Sequence, residues 1–146
     1  TRSPVVRSIM RARMDVAKTK GCDSLEPDNV DGYSNGNGLG LTKQNQIDYN
    51  KFLAAEAHAR GMSIGLKNST ALVGALVNDF DFAVVEQCYQ YNECVAYSPF
   101  ISRNKAVLIA EYQNFSSARC ANAKVNKFSL AYFNLALNGS KFKPCP

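Results

Sequence analysis

Short apolar runs that each stop on a charged or amide residue constrain this chain most. One begins near Cys22 and leads into Glu26, Asp28 and Asp31. Residues 62–66 run into Lys67-Asn68, residues 80–85 into Glu86-Gln87, and residues 106–110 into Glu111-Tyr112. The last, residues 128–135, contains Asn134. Continuous apolar runs suit parallel strands covered on both faces, and helical crossovers bring the C-terminal ends of such strands to one rim. Acids repeated at that rim repel one another and resist desolvation, so they point to a site rather than a scaffold. The expected fold is α/β, a partial (β/α)8 TIM barrel of about five C-terminal parallel strands with intervening helices. An open doubly wound sheet is the alternative.

The helical signals lie between those runs. Ser3-Pro4 opens a helix as N-cap and first-turn proline, with Val6, Ile9, Met10, Met14 and Ala17 on its inner face, and Lys20-Gly21 closes it. Residues 34–41 form a Gly/Asn loop whose glycines lack the spacing of a phosphate fingerprint. Thr42 caps a helix that reaches Arg60 and stops at Gly61, lined inside by Ile47, Leu53, Ala54 and Ala57. Shorter helices are expected over about 70–78 and 117–126, and Pro99 argues for irregular structure across 87–103.

With 146 residues, 46% hydrophobic and 20% charged, the chain suits one globular domain over residues 1–146. A full barrel needs eight strands and about 250 residues. Roughly three leading βα units are therefore expected to lie before Thr1, cut away, supplied by another chain, or left outside this sequence. The portion alone is expected to be inactive; the alternatives to an enzyme are a non-catalytic carbohydrate-binding protein and a structural partial barrel completed by a second chain. No apolar run reaches the ~20 residues of a membrane span. The net charge of +5 owes much to Arg2, Arg7, Arg11, Arg13, Lys18 and Lys20. No base-stacking aromatics are interleaved with them, so a solvated helix face is the better reading and no nucleic-acid partner is expected.

Five cysteines fit no zinc spacing, and no cofactor or metal is expected. Cys88 and Cys94 flank a short loop, and Cys145 lies beside the chain end; the pairs Cys88–Cys94 and Cys120–Cys145 read as disulfides of an oxidising, extracellular compartment. Cys22 is left unpaired and is expected to be buried at a strand start. Sequons at Asn68, Asn114 and Asn138 agree with secretion.

Two carboxylates across a cleft hydrolyse a glycosidic bond when one protonates the leaving oxygen and the other attacks the anomeric carbon or activates water. Asp28 and Glu86 are the pair the strand ends single out. Lys67 would hold Asp28 ionised, bond a sugar hydroxyl, or form a plain salt bridge to Glu26. Tyr33, Tyr89, Tyr91 and Tyr112 lie close to these acids in sequence, where aromatic faces pack on sugars or simply on protein. His58 falls in a helix away from the acids, and a satisfied surface histidine is the better reading.

Residues 21–33, Gly-Cys-Asp-Ser-Leu-Glu-Pro-Asp-Asn-Val-Asp-Gly-Tyr, resemble the hallmark of glycoside hydrolase family 114, the endo-α-1,4-polygalactosaminidase family. Further matches are Leu41-Thr42, Gly65-Leu66-Lys67-Asn68, Glu86-Gln87-Cys88 with Glu93-Cys94, Pro99-Phe100, Lys105-Ala106-Val107 and Glu111-Tyr112. Ser24 and Leu25 depart from the smaller and apolar residues common in that family, and the chain has no Trp. The resemblance implies a secreted (β/α)8 enzyme that cleaves α-1,4-linked galactosamine polymers such as galactosaminogalactan. It implies Asp28 as nucleophile and Glu86 as acid/base in a retaining mechanism. Glu26, Asp31, Tyr33, Lys67, Asn68, Glu111 and Tyr112 are the expected substrate-binding residues, with the rim acids Asp31, Glu93 and Glu111 attracting a cationic polymer.

Overall fold

The computed structural model describes residues 2–36 and 38–146; Thr1, and Asn37 of the Gly/Asn loop, lie outside the described residues. The chain is α/β and divides into two compact units, Thr1–Asp81 and Phe82–Pro146.

In the first unit, helix α1 spans Pro4–Thr19 and opens as expected, with Ser3 Oγ accepting from Val6 N and Pro4 in the first turn. Its buried side is the expected one only in its second half, where Met14 is buried and Met10 and Ala17 are half-buried. Val6 and Ile9 are exposed and only Met14 is buried. The stripe 7–11–14 faces helix α2 (Lys43–His58) instead. Arg7 and Arg11 lie 4.5 and 4.9 Å over the Phe52 ring, Arg11 pairs with Glu56 at 2.6 Å, and Asp15 pairs with Arg60 at 2.7 Å. Arginine stems and their cation–π contacts thus dock the two helices, a pairing that an apolar-periodicity count overlooks.

Helix α2 begins in a capping box: Asn45 N donates to Thr42 Oγ1 at 3.1 Å and Thr42 N to Asn45 Oδ1 at 3.3 Å. Leu53, Ala54 and Ala57 are buried with Ile64 and Leu66 of strand β2 (Ser63–Lys67). Gln46 and Asn50 are also buried; Gln46 donates to Asn50 Oδ1 at 2.8 Å and Asn50 to Val30 O at 2.9 Å, so α2 holds the loop that follows strand β1. Strand β1 is only Ser24–Leu25 and pairs in parallel with β2, Ser24 opposite Ser63. Cys22 therefore lies in the link between α1 and β1 and is exposed, against the expected burial. After β2 the expected helix over 70–78 is a 3-10 turn, Thr70–Leu72, followed by the single turn α3, Val73–Leu76. At the N-terminal end of β2, Asp81 Oδ2 accepts from Ile64 N at 2.8 Å and meets His58 Nε2 at 2.8 Å, so His58 is satisfied.

In the second unit, β3 (Phe82–Glu86), β4 (Val107–Glu111) and β5 (Ser129–Phe133) are parallel neighbours, with Glu86 opposite Ala110 and Glu111 opposite Tyr132. Residues 94–101 form a 3-10 turn and helix α4 (Ser98–Ile101), and α5 is Ser117–Val125, capped by Ser116 Oγ accepting from Arg119 N. A further strand, β6 (Phe142–Pro144), runs antiparallel to β5, in contrast to an all-parallel set. The link from β5 is too short for a helical crossover, so only antiparallel return is open to it. The Cys120–Cys145 disulfide ties that return to α5, and Cys88–Cys94 closes the loop after β3. Among the described residues no helix is long and apolar enough to cross a membrane.

Candidate active site

The first unit builds a three-membered charge cluster where β1 and β2 end. Lys67 is the last residue of β2, and Glu26 and Asp28 follow β1, which β2 holds in parallel. Lys67 Nζ donates to Glu26 Oε1 at 2.9 Å and to Asp28 Oδ2 at 3.2 Å. The lysine side chain is 11% exposed while the acids are 42% and 40% exposed, so a nearly buried cation supports two carboxylates that face solvent. Burial alone would lower the lysine's pKa, but its hydrogen bonds to both carboxylates and their charges outweigh it and hold the ammonium above its ordinary value. Two of the alternatives read from sequence, contact with Asp28 and a salt bridge to Glu26, are thus realised together.

Beyond Lys67 the chain reverses through two left-handed residues, Asn68 (φ 46°) and Ser69 (φ 62°), and Ser69 Oγ donates to Lys67 O at 3.0 Å. Asp31 precedes a 3-10 turn, Gly32–Ser34, in which Tyr33 is half-buried. A cleft of about 190 Å³ beside Glu26 is walled by Met10, Arg13, Met14, Ala17, Leu25 and Pro27.

The second unit places Glu86 at the last position of β3, on the less buried face that Phe82 and Val84 share. The Tyr112 hydroxyl donates to Glu86 Oε1. Gln87 then adopts φ 59° and its N–H donates to Ala110 O at 2.9 Å, turning the chain into the Cys88–Cys94 loop. Tyr89 is half-buried with its hydroxyl on Asn122 Oδ1 at 2.9 Å, and Tyr91 is exposed. Asn134, just past β5, donates to Asn138 Oδ1 and Ser140 Oγ.

Glu111 does not line an open rim. It is 0% exposed, because along β4 it shares the buried face of Val107 and Ile109. Its Oε1 accepts from Tyr89 N at 2.8 Å, and Arg119 Nη1 lies 3.8 Å from Oε2, which has no hydrogen bond. Desolvation raises its pKa, partly offset by the Tyr89 and Gln90 amides and the Arg119 charge. Arg119 was not singled out by sequence; its place in the first turn of α5, after the Ser116 cap, was the available signal. Among the described residues no three His, Cys, Asp or Glu side chains gather as a metal site would require.

Acids and their hydrogen-bonding partners at the C-terminal ends of parallel strands define the class: an α/β protein that places polar chemistry on strand ends. The chain belongs to glycoside-hydrolase family GH114, whose model matches residues 1–144. It is similar to Ega3 of Aspergillus fumigatus, solved in complex with galactosamine, with a TM-score of 0.89 and 40% identity over 98% of this chain and 62% of that one. It thus spans less than two thirds of that relative's length. The glycoside hydrolase domain of PelA from Pseudomonas aeruginosa matches in fold alone, at TM-score 0.66 and 11% identity over 95% of this chain and 64% of that one. No curated protein matches the chain.

Proposed function

We propose that the protein carrying this chain is a glycosidase that cleaves α-1,4-linked galactosamine polymers with a pair of carboxylates, Asp28 and Glu86. The observation that carries this reading is the 40% identity, over 98% of the chain, to a protein solved in complex with galactosamine. Asp28 is the nucleophile and Glu86 the group that protonates the leaving oxygen and then activates water. Lys67, fixed between Glu26 and Asp28, supports the first carboxylate, and Tyr112 orients the second. Glu26, Asp31, Tyr33 and Asn68 contact the polymer. A galactosamine chain is cationic, and its attraction to Asp31 and Glu93 is local, because the net positive charge of the protein is screened beyond a Debye length of about 8 Å.

The reading includes secretion, supported by two disulfides. It also includes N-glycans at the exposed Asn114 and Asn138. At Asn138 the sequon forms a turn in which Ser140 N donates to Asn138 Oδ1 at 3.1 Å. A second reading, completion of the sheet by another chain, is favoured by the exposed apolar residues Val5, Ile9 and Val16 of α1. A monomer mass in sedimentation would remove it.

Reducing-end release from a galactosamine polymer tests the main reading. Wild type is expected to release ends, and Glu86→Gln to lose on the order of 10³-fold in rate, within the range of general acid–base contributions. Equal release by the variant would overturn the assignment.

A further inference from the structure

Glu111 is a fully buried carboxylate that the proposed chemistry does not use, and it lies one residue from the tyrosine that holds Glu86. Successive residues of a strand point to opposite faces. At the end of β4 this splits the pair: Tyr112 reaches the Glu86 carboxylate on one face, and on the other Glu111 accepts the Tyr89 amide at 2.8 Å. Tyr89 is three residues past Glu86. The intervening Gln87 takes a left-handed conformation, and its amide is bound to Ala110 O. Cys88, also between them, is bonded to Cys94. The turn that follows Glu86 is therefore held at three successive places: Gln87 by the β4 backbone, Cys88 by the disulfide, Tyr89 by Glu111.

We propose that Glu111 is a positioning residue for Glu86: by accepting the Tyr89 amide it fixes the turn that presents the Glu86 carboxylate, and it does not touch the polymer. The inference rests on Glu86 being catalytic. The bond is part-buried, and an amide that loses its acceptor there is costly, so the turn loosens if Glu111 is lost. The requirement is for an acceptor oxygen, which a glutamine also supplies at that place. Oε2 accepts no hydrogen bond, and its ion partner Arg119, 3.8 Å away, is partly solvated, so a neutral amide there does not strand a buried cation.

The experiment compares Glu111→Gln and Glu111→Leu in the full-length protein, reading steady-state kinetics on a galactosamine polymer and hydrogen exchange of the Tyr89 amide. Glu111→Leu is expected to speed exchange at Tyr89 at least tenfold and to lower kcat about 100-fold with KM within twofold. Glu111→Gln is expected to keep the protection and to stay within about threefold of wild type in both parameters. A raised KM with unchanged kcat in Glu111→Leu would show a substrate contact and overturn the inference, as would unchanged kcat with a freed Tyr89 amide. If Glu111→Leu does not fold, Glu111→Gln decides alone: a 100-fold loss of kcat there would mean that the charge, and not the acceptor, is what matters, and would overturn the proposal. Full activity of Glu86→Gln would instead refute the underlying functional reading, which keeps the two failures apart.

Discussion

Replacing Lys67 with methionine keeps the length of the side chain and removes the cation that Glu26 and Asp28 share. The distances of 2.9 and 3.2 Å make both ion pairs direct. Pairs of this type that reach solvent are worth roughly 0.2–1 kcal/mol each. Because the lysine is nearly buried while its partners are less than half exposed, the upper part of that range applies to both. Lys67→Met is therefore expected to destabilise by about 1–2 kcal/mol, including the repulsion left between the two acids. In a chain of this size that corresponds to roughly 2–8 °C in Tm. The loss also has a pH signature. The folded-state pKa of Lys67 is raised above its ordinary 10.5, so its contribution is fully present below that value and is lost as the pH rises through the higher folded one. Urea unfolding of wild type and variant at pH 7, 9 and 11.5 should give a constant difference at the first two and a smaller one at the third. Equal stability at pH 7, or a difference that grows in alkali, would refute the reasoning.

Loop length ranks the two disulfides. Cys120–Cys145 spans 25 residues and Cys88–Cys94 spans 6, so serine replacement should cost about 3.5 kcal/mol for the first and about 2 for the second by denaturant unfolding. Loss of Cys120–Cys145 should also free the β6 amides to exchange. Thr42→Ala removes half of the α2 capping box and should cost about 1 kcal/mol in the same assay. Secretion from a eukaryotic host followed by peptide mass mapping should find glycan on Asn138 and Asn114, and bare Asn138 in the secreted protein would count against that part of the reading.

The strand ends were legible because β2, β3 and β4 stop where apolar runs meet Lys67, Glu86 and Glu111. Thr42 and both disulfides were legible for local reasons, a cap before a periodic helix and cysteines placed around a loop and a chain end. Three features were not. Glu111 reads as a rim acid if only its place at a strand end is weighed; its parity with Val107 and Ile109 was the sign that it turns inward, whereas Glu86 shares parity with Val84 on the less covered face. Strand β6 is short and carries a lysine and a proline, so no alternation marks it, and it is held by β5 and a distant cysteine. Helix α1 misleads in its first half because its docking stripe there is made of arginines paired with Phe52 and Glu56, while Val6 and Ile9, which periodicity favours, remain exposed.

The central claim is that Asp28 and Glu86 act on the same bond. The most direct measurement is a double-mutant cycle on polymer cleavage with Asp28→Asn, Glu86→Gln and the two combined. If the carboxylates work as a unit, each single change abolishes most of the rate and the double variant is no slower than the worse single one, since groups that act together are strongly non-additive. Losses that multiply in the double variant, or a wild-type rate in either single variant, would contradict it.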